Sequence, residues 1–288
     1  MKELTQKEFR EKQLDLLRNF HQFCEKHNLK YSLAYGTMLG AVRHGGFIPW
    51  DDDIDVAMLR PDYDRFVQIA SSEPAPFAFY DWTNCRNIMF MFAKVVDPHA
   101  CYKRVGQDGI QSATSTGVYL DVFPLDAMPR SKILARVYGF IIYTWNHLLG
   151  SGCSYAYYKR FLRPIFSLKT RIAWHLTKVV GWIIPVYPSW VIMNKIFHLF
   201  KCDKPTYVAS LTVGKCYREI FRSEMFDRMV KHKFELDEFW IMEEYDAWLT
   251  VAYGDWRTPP PVTVQEQCRH LVDGRNYYDS EMYMPFSK

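Results

Sequence analysis

Apolar residues recur at two different spacings in the first half of the chain, and these spacings predict both helices and strands. Over residues 5–27 they fall near one face of a helix, so an amphipathic helix is expected there. Pro61 suits a first helical turn, which predicts a second helix over residues 61–70. Short apolar or alternating runs are typical of strands, and they occupy residues 31–35, 54–58, 87–96 and 117–123.

The second half of the chain predicts a helical region followed by a mixed one. Residues 103–116 before it have turn composition. Residues 217–226 predict a strand and a turn, and residues 237–251 predict a helix that ends near Gly254. Residues 131–204 favour helices, with breaks expected at Gly150, Gly152, Pro164, Gly181, Pro185 and Pro188.

Four carboxylates, Asp51, Asp52, Asp53 and Asp55, fall within five positions beside the predicted strand 54–58. Because side chains alternate across a strand, Asp53 and Asp55 are expected on one face and Asp52 on the other. Neighbouring carboxylates on a core strand repel each other and resist burial unless a cation holds them. Oxygen ligands at this spacing suit Mg²⁺ or Mn²⁺. A solvated acidic loop is the alternative, and the adjoining strand argues against it.

Two further features extend this acidic segment into a candidate site. The turn at Gly36 and Thr37 leads into a short helix, where backbone N–H groups and a hydroxyl can meet a phosphate. Asp121 stands alone among apolar residues of its strand, where an ionised side chain is costly without a partner. Either it faces water on an edge strand, or it joins Asp53 and Asp55 as a metal ligand or general base. The second arrangement predicts metal-assisted transfer of a phosphorus-containing group.

Composition narrows the class of protein further. The chain has 288 residues, 49% of them hydrophobic and 17% aromatic, which is enough for a substantial core and far from disorder. Its seven cysteines are scattered and form no Cys-x-x-Cys pair, which argues against a disulfide framework and a structural zinc site. We therefore expect the protein to reside in the reducing environment of the cytoplasm. The polar N-terminus is unlike a signal peptide, and no apolar run predicts a membrane-spanning helix.

The small net charge of +4 hides a strongly basic segment. Residues 130–204 carry twelve Lys or Arg residues against the single acid Asp203, a net charge of +11. Such a segment indicates either an ordinary helical region with long basic side chains on its surface or a peripheral face toward an anionic membrane. No nucleic-acid-binding module is recognisable, so no nucleic-acid partner is expected. Tryptophans are interspersed among the basic residues, at positions 145, 174, 182 and 190.

Three ordered motifs carry a family resemblance. Residues 36–55 (GTMLGAVRHGGFIPWDDDID) resemble the signature of LicD-type transferases, which include bacterial phosphocholine transferases and fukutin-related proteins. Residues 120–126 (LDVFPLD) are similar to the second motif of that family, and residues 245–256 (YDAWLTVAYGDW) to its C-terminal block. Together the motifs and the prolines after them span residues 30–261.

The resemblance implies an α+β fold with a DNA-polymerase-β-like nucleotidyltransferase core, a small mixed sheet flanked by helices, and a two-metal site. By position, Asp53, Asp55 and Asp121 match the metal-binding and catalytic carboxylates, and Gly36 and Thr37 match the turn that cradles phosphate. Members of the family transfer phosphocholine or a related phospho-alcohol from a CDP-linked donor such as CDP-choline to a glycan hydroxyl. Mg²⁺ is therefore the expected cofactor, with Mn²⁺ as an alternative.

Further basic residues are candidates for substrate binding. Arg43 and His44 follow the turn and can meet phosphate, although a structural role fits them equally well. Lys94 lies on a predicted core strand and is expected either at the donor phosphate or at the edge of the core. Arg269 and His270 lie where the family places basic residues near the end of the chain, but the spacing before them departs from the family pattern.

The resemblance also implies a division of the chain. Residues 1–130 are expected to form the catalytic core with its N-terminal helix, residues 131–204 a basic helical insertion, and residues 205–288 the completion of the catalytic domain. If the insertion lies on a membrane, the acceptor is expected to be a lipid-linked glycan precursor at the inner face of the cell membrane.

Two other functions stay open at this point. The same carboxylates suit a nucleotidyltransferase that adds a nucleotide from a triphosphate to a sugar or small molecule, because donor placement decides which phosphorus is attacked. An inactive, membrane-associated scaffold is the alternative from another class. Three retained carboxylates argue against it, since an inactive relative has no need of them.

Overall fold

The computed structural model describes residues 1–85, 91–104, 117–153, 186–212, 215–265 and 274–280. Its strands are β1 (Lys2–Glu3), β2 (Ser32–Leu33), β3 (Asp55–Leu59), β4 (Ala78–Tyr80), β5 (Ala93–Val96), β6 (Ala100–Arg104), β7 (Tyr119–Met128), β8 (Tyr207–Ala209), β9 (Phe221–Arg222), β10 (Met229–Phe234), β11 (Asp237–Met242) and β12 (Gly274–Tyr278). Its α-helices are α1 (Gln6–Lys26), α2 (Tyr35–His44), α3 (Arg60–Ser72), α4 (Lys132–Cys153), α5 (Val186–Phe197), α6 (Tyr245–Tyr253) and α7 (Val262–Gln265). This mixture of helices and strands confirms the predicted α+β class.

The chain forms two compact units. One comprises Met1–Leu125 and Ser223–Lys288, and the other comprises Asp126–Arg222. The division predicted from the sequence, at residues 130 and 204, stays a prediction about function, because the structure alone does not assign a role to either unit.

A mixed sheet forms the centre of the first unit. Its strands lie in the order β2-β3-β7-β5-β4, in which β3 and β7 are parallel and the other neighbours are antiparallel. Helices α1 and α3 meet the core through aromatic side chains: the Phe20 ring lies 5.2 Å from Tyr31 and 5.5 Å from Phe66, both edge to face. All three rings are buried, so this cluster anchors the N-terminal helix to the sheet region.

Helix α1 confirms the prediction for residues 5–27. Thr5 caps it: the Thr5 hydroxyl accepts the Glu8 N–H at 3.3 Å, and the Glu8 carboxylate accepts the Thr5 N–H at 2.9 Å. This capping box satisfies donors that a helix start leaves unpaired. The Glu8 pKa falls to about 2, with its bond to Lys2 as the largest cause. Helix α3, with Pro61 in its first turn, likewise confirms the second predicted helix.

The helix predicted over residues 237–251 is wrong in its first half. Strands β10 and β11 form an antiparallel hairpin closed by Glu235 and Leu236, and the helix α6 begins only at Tyr245. Glu235 adopts a left-handed backbone (φ 57°), which reverses the chain after Phe234. Pairing between the two strands of this hairpin therefore overrides the local apolar spacing that predicted a helix. The helix ends at Gly254 (φ 72°), as predicted.

Several other boundaries differ from the predictions. The strand expected over residues 31–35 has only two residues, because the chain enters α2 at Tyr35. Strand β7 continues to Met128, past the predicted end at Phe123. Residues 103 and 104, predicted as turn, belong to β6, while residues 87–90 and 105–116 lie outside the described residues.

The second unit contains the end of β7, which pairs with β8, and β8 pairs in turn with β9. Helices α4 and α5 are joined by the Tyr138 hydroxyl, which donates to the Ile196 carbonyl at 2.7 Å. The break predicted at Gly150 and Gly152 does not occur, since α4 continues to Cys153, and Pro188 lies in the first turn of α5. Residues 154–185, with the other predicted breaks, lie outside the described residues. Among those the structure describes, no helix is both long enough and apolar enough to cross a membrane.

Candidate active site

Helix α2 fixes the start of strand β3. The Thr37 hydroxyl accepts the Asp55 N–H at 2.8 Å, and the Ala34 N–H donates to the Asp55 carbonyl at 2.9 Å. Thr37 is buried, so its hydroxyl serves the backbone of a buried carboxylate residue. The phosphate contact predicted for Thr37 stays a prediction, and what the structure shows is a role in positioning Asp55.

Asp55 and Asp121 occupy the same register position on the parallel strands β3 and β7. The Asp121 N–H donates to the Ile54 carbonyl at 2.8 Å, which holds the two strand starts together. The exposed fractions of the two residues are 9% and 7%, so both carboxylates are largely withdrawn from water. The structure therefore places Asp121 on a central strand, and the water-facing edge strand is excluded.

Lys94 lies opposite Asp121 on the antiparallel neighbour β5, and its ammonium group forms an ion pair with the Asp121 carboxylate. The same ammonium lies 3.9 Å from the centre of the Tyr119 ring. The phosphate contact predicted for Lys94 stays a prediction. In this structure Lys94 neutralises one of the buried carboxylates.

The segment before β3 differs from the predicted strand. The Asp51 N–H donates to the Ile48 carbonyl at 3.0 Å, which makes a turn, and Asp55 is the first strand residue. Strand alternation therefore does not apply to residues 51–53, although Asp53 and Asp55 line an adjacent cavity and Asp52 is not among its lining residues. One carboxylate oxygen from each of Asp51, Asp52 and Asp53 lies within 4.8 Å of the others.

Helix α1 and Gly36 hold this acidic turn in place. The Arg10 guanidinium donates to the Ile48 carbonyl at 3.1 Å, and the Gln13 amide, fully buried, donates to the Asp52 carbonyl at 2.9 Å. The Asp51 carboxylate lies so close to Gly36 that a Cβ atom at this position would overlap it. Gly36 is thus explained by the close approach of a carboxylate. Asp51 also lines the cavity beside the site, although the sequence motifs placed only Asp53, Asp55 and Asp121 among the metal ligands.

The pKa values of Asp55 and Asp51 are both raised, in each case by burial first. The pKa of Asp55 is well above its usual range because of burial first and then the neighbouring Asp53, Asp121 and Asp51, while Lys94 acts in the opposite direction. Burial likewise raises the pKa of Asp51, and its hydrogen bond with Asp53 opposes that rise. Around Asp55 three neighbouring carboxylates oppose the single ammonium of Lys94, an excess of negative charge that favours a bound cation.

A cavity of about 460 Å³ opens beside the carboxylates, within the range of roughly 300–1,000 Å³ typical of ligand sites. Asp51, Asp53 and Asp55 line one part of it. Three aromatic residues also line the cavity: Trp50, Tyr253 and Trp256. Tyr253 is the last residue of helix α6, and Trp256 follows that helix. The sequence indicated no chemical role for the segment around Tyr253. The signal that could have pointed to it is the tyrosine and tryptophan on either side of Gly254, before a run of prolines.

Arg43 connects helix α2 to that aromatic segment. Its guanidinium donates to the Trp256 carbonyl at 2.7 Å and lines the cavity, and burial lowers its pKa. His44 is not among the lining residues. Its ring packs edge to face on Trp50 at 5.8 Å, and burial followed by the Arg43 charge lowers its pKa. Substrate contacts of both residues remain predictions, and Arg269 and His270 lie outside the described residues.

The donor set fits the metal that the sequence led us to expect. Asp51, Asp52 and Asp53 bring carboxylate oxygens together at the acidic turn, and Mg²⁺ and Mn²⁺ prefer such ligands. Burial and the neighbouring carboxylates raise the pKa of Asp55, which a bound cation would oppose. Asp51 and Asp53 share the cavity with Asp55, so a cation held there would face a substrate in the cavity.

Comparison with known proteins agrees with this geometry. Residues 28–169 match the family model described as LicD/FKTN/FKRP, nucleotidyltransferase domain. Over 267 residues the chain is 30% identical to the lipopolysaccharide cholinephosphotransferase LicD of Haemophilus influenzae, which covers 91% of this chain and 94% of that protein. The chain belongs to the LicD family. This LicD-family protein is thus a transferase, as the motifs predicted.

Shorter matches involve other proteins. A stretch of 54 residues is 46% identical to an uncharacterized protein of Rickettsia typhi and covers 19% of this chain and 18% of that protein. A stretch of 49 residues is 39% identical to the human ribitol 5-phosphate transferase FKRP and covers 17% of this chain and 10% of FKRP. The two named relatives carry different alcohols, so family membership of this LicD-family protein leaves the cargo undetermined.

Proposed function

We propose that this LicD-family protein transfers phosphocholine, or a related phospho-alcohol, from a CDP-linked donor to a hydroxyl of a cell-surface glycan or its lipid-linked precursor, and releases CMP. The observation that supports this most is the pairing of Asp55 with Asp121 in one register position beside a cavity. The similarity to a cholinephosphotransferase over nearly the whole chain supports the choice of reaction.

The protein's residues divide the work in this proposal. Asp51, Asp53, Asp55 and Asp121 would hold Mg²⁺ or Mn²⁺. When bound, the metal would neutralise charge that develops on the departing CMP. The acceptor hydroxyl attacks the distal phosphorus in line, its new P–O bond replacing the bond to the CMP oxygen, and a carboxylate such as Asp121 accepts its proton. Gly36 lies at the start of α2 and lines the cavity, where backbone N–H groups of a helix start would bind donor phosphate.

The fold we propose for this site is a DNA-polymerase-β-like nucleotidyltransferase core. Parallel strands β3 and β7 carry the paired carboxylates, and helix α2 precedes β3 with its N-terminus near the acidic turn. The family description, which names a nucleotidyltransferase domain, supports the same fold.

A labelled donor tests the reaction. The protein is incubated with Mg²⁺, a lipopolysaccharide acceptor that lacks phosphocholine, and CDP-choline labelled separately in choline and in cytidine. We expect choline label in the acceptor and an equal amount of free CMP. Cytidine label in the acceptor would instead support the nucleotidyltransferase alternative. Asp55→Asn and Asp121→Asn should lose at least about 100-fold in rate, whereas Asp227→Asn, an exposed aspartate outside the cavity, serves as the control.

The scaffold alternative makes a different prediction in the same experiment. A protein without activity would transfer no label. Mg²⁺ would also stabilise the native protein no more than it stabilises the Asp55→Asn variant. Retention of a mutually repelling set of buried carboxylates argues for activity, because that set costs stability unless a cation is bound.

We also propose that the second unit contacts an anionic membrane surface, which would bring the enzyme to a lipid-linked acceptor. On α4 the side chains of Ile133 and Val137 are 75% and 53% exposed, one helical turn apart, with exposed Lys132 and Arg136 beside them. Exposed apolar and basic side chains on one helix are typical of an interfacial helix. The net charge of +11 in residues 130–204 supports an anionic partner.

Vesicle flotation tests the membrane contact. The protein should float with phosphatidylcholine vesicles containing phosphatidylglycerol and much less with phosphatidylcholine alone. Ile133→Asp with Val137→Asp should reduce flotation, whereas Leu236→Asp, at a still more exposed apolar position on the β10–β11 turn, should not. Flotation that ignores lipid charge, or that survives the double substitution, would contradict this contact.

A further inference from the structure

The cavity beside the carboxylates has a second wall of different chemistry. Trp50 precedes the acidic turn, Tyr253 ends helix α6, and Trp256 follows two residues after Gly254. All three rings line the cavity together with Asp255. The proposed phosphorus chemistry uses none of these four residues, so the wall calls for another explanation.

Backbone contacts keep the wall in place. Gly254 has a left-handed backbone (φ 72°), which ends α6 and reverses the chain. The Trp256 N–H then donates to the Gly254 carbonyl at 3.0 Å, and the Trp256 carbonyl accepts the Arg43 guanidinium at 2.7 Å. Trp256 itself is only 7% exposed. The wall is therefore preorganised by the fold and tied to helix α2.

Asp255 adds a negative charge to this wall. Its carboxylate accepts the Thr258 hydroxyl at 2.8 Å, and this hydrogen bond is the main reason that the pKa of Asp255 lies below its usual value. Asp255 is thus an anion at neutral pH. An anion among three aromatic rings is an environment that favours a cationic ligand over a neutral one.

Two basic residues of the protein already lie near the rings of this wall, and each also binds another group. Arg257 lies 4.3 Å from the centre of the Trp256 ring, but it forms an ion pair with Asp246 and is not among the residues that line the cavity. Arg43 is the single cation among the described lining residues, against four carboxylates. Its guanidinium donates to the Trp256 carbonyl and lies 6.0 Å from the centre of the Trp50 ring.

We infer that this aromatic and acidic wall binds the quaternary ammonium group of the transferred alcohol and so selects choline over neutral polyols. This inference rests on the proposed function, because it places the cargo end of a CDP-linked donor against Trp50, Tyr253 and Trp256. A trimethylammonium group is weakly hydrated and presents its charge to ring faces without needing hydrogen bonds. A polyol would require hydrogen-bonding partners in place of the rings.

Donor binding measured by calorimetry tests the inference separately from turnover. CDP-choline and the neutral CDP-glycerol are titrated into the full-length protein with Mg²⁺ present. We expect the native protein to prefer CDP-choline. Tyr253→Leu and Trp50→Leu should each weaken CDP-choline binding about 5- to 30-fold and CDP-glycerol binding less than about 2-fold.

Two further variants separate the ring from general damage. Tyr253→Phe keeps the ring and should restore most of the preference for CDP-choline. Trp240→Leu removes an indole of the β10–β11 hairpin that does not line the cavity, and it should leave the preference at the native value. Tyr253 is 45% exposed, so its truncation is compatible with a folded protein, which circular dichroism verifies.

The possible outcomes distinguish a failure of the proposed function from a failure of the inference about the aromatic and acidic wall. If neither donor binds, the proposed function fails, and the inference fails with it. If both donors bind equally well, or if Tyr253→Leu weakens both to the same extent, the donor class stands and the inference alone is overturned. The second result would indicate that the rings stack on the cytosine base shared by both donors.

Discussion

Asp121 on β7 has Asp55 beside it on one neighbouring strand and Lys94 opposite it on the other. Asp121 thus lies between a like charge on Asp55 and an opposite charge on Lys94. All three side chains are largely shielded from water. In the metal-free protein the Lys94 ammonium is the cation that compensates Asp121. If Asp121 also binds the metal, Lys94 and the metal compete for the same carboxylate.

Replacing Lys94 tests this competition. Lys94→Met should lower the metal-free free energy of unfolding by about 3 kcal/mol, because breaking a buried ion pair leaves an uncompensated charge. Mg²⁺ should then stabilise the variant more than it stabilises the native protein. Thermal unfolding in EDTA and in excess Mg²⁺ measures both effects, with Lys233→Met, an exposed lysine of the hairpin, as the control. Equal Mg²⁺ increments in both proteins would show that Lys94 does not compete with the metal.

Asp55 should destabilise the metal-free protein. Its raised pKa means that folding is favoured by its protonated form, so its contribution to stability is fully present below the unfolded pKa, near 3.8, and is lost as pH rises through the folded value. Metal-free native protein should therefore gain stability as pH falls from 7.5 toward 5. Asp55→Asn should raise stability at pH 7.5 by at least about 1 kcal/mol, flatten this pH profile and abolish stabilisation by Mg²⁺.

Chemical unfolding in EDTA across this pH range measures the Asp55 contribution. Asp227→Asn changes the same charge at an exposed position and should leave both the pH profile and the Mg²⁺ effect as in the native protein. A loss of stability in Asp55→Asn at pH 7.5 would mean that the carboxylate is compensated without metal.

Two glycines of helix α2 should respond differently to the same substitution. At Gly36 an added Cβ meets the Asp51 carboxylate, the mobile end of a side chain, whereas at Gly40 it meets the Gly46 carbonyl and the Ile48 backbone nitrogen. Gly36→Ala should therefore reduce Mg²⁺ affinity about 10-fold or more by displacing Asp51 and change stability little. Gly40→Ala should cost roughly 1–3 kcal/mol because backbone must move. Calorimetric Mg²⁺ titration and chemical unfolding distinguish the two, and the reverse pattern would contradict the role of Gly36.

Local pattern predicted the parts of the site that depend on single elements. Asp55 and Asp121 each lie in a short apolar run, and burial of such runs in one sheet brought them together. The position of Asp51 could not be predicted this way, because a turn at Ile48 and hydrogen bonds from α1 decide it. The prediction for Asp52 and Asp53 assumed the side-chain alternation of a strand, but these residues are not in a strand.

The β10–β11 hairpin depends on pairing between neighbouring strands, and the aromatic wall depends on contacts between residues far apart in the chain. Residues 237–242 have apolar spacing compatible with a helix, and only pairing with Met229–Phe234 makes them a strand. Likewise, nothing near Tyr253 in the sequence indicates that its loop meets Trp50, some 200 residues earlier in the chain. The bond from Arg43 to the Trp256 carbonyl fixes that meeting.

The hydrogen bond from Arg43 to the Trp256 carbonyl should be detectable in the protein without substrate. If Arg43 positions the loop after α6, Arg43→Gln should loosen that loop even when no substrate is bound, because a shorter neutral side chain does not reproduce the guanidinium contact. Hydrogen–deuterium exchange of the native protein and the variant should show faster exchange at residues 254–258 in the variant. A contact with donor phosphate alone would not change exchange in the substrate-free protein.

The matched control is Arg65→Gln, which removes a guanidinium that donates to the His27 carbonyl at 3.1 Å, and neither residue lines the cavity. It should leave exchange at residues 254–258 unchanged. The loosened wall of Arg43→Gln should also reduce the preference for CDP-choline over CDP-glycerol, because the rings lose their fixed position. Native exchange at residues 254–258 combined with weaker binding of both donors would instead place Arg43 at the phosphate, as the sequence motif first suggested.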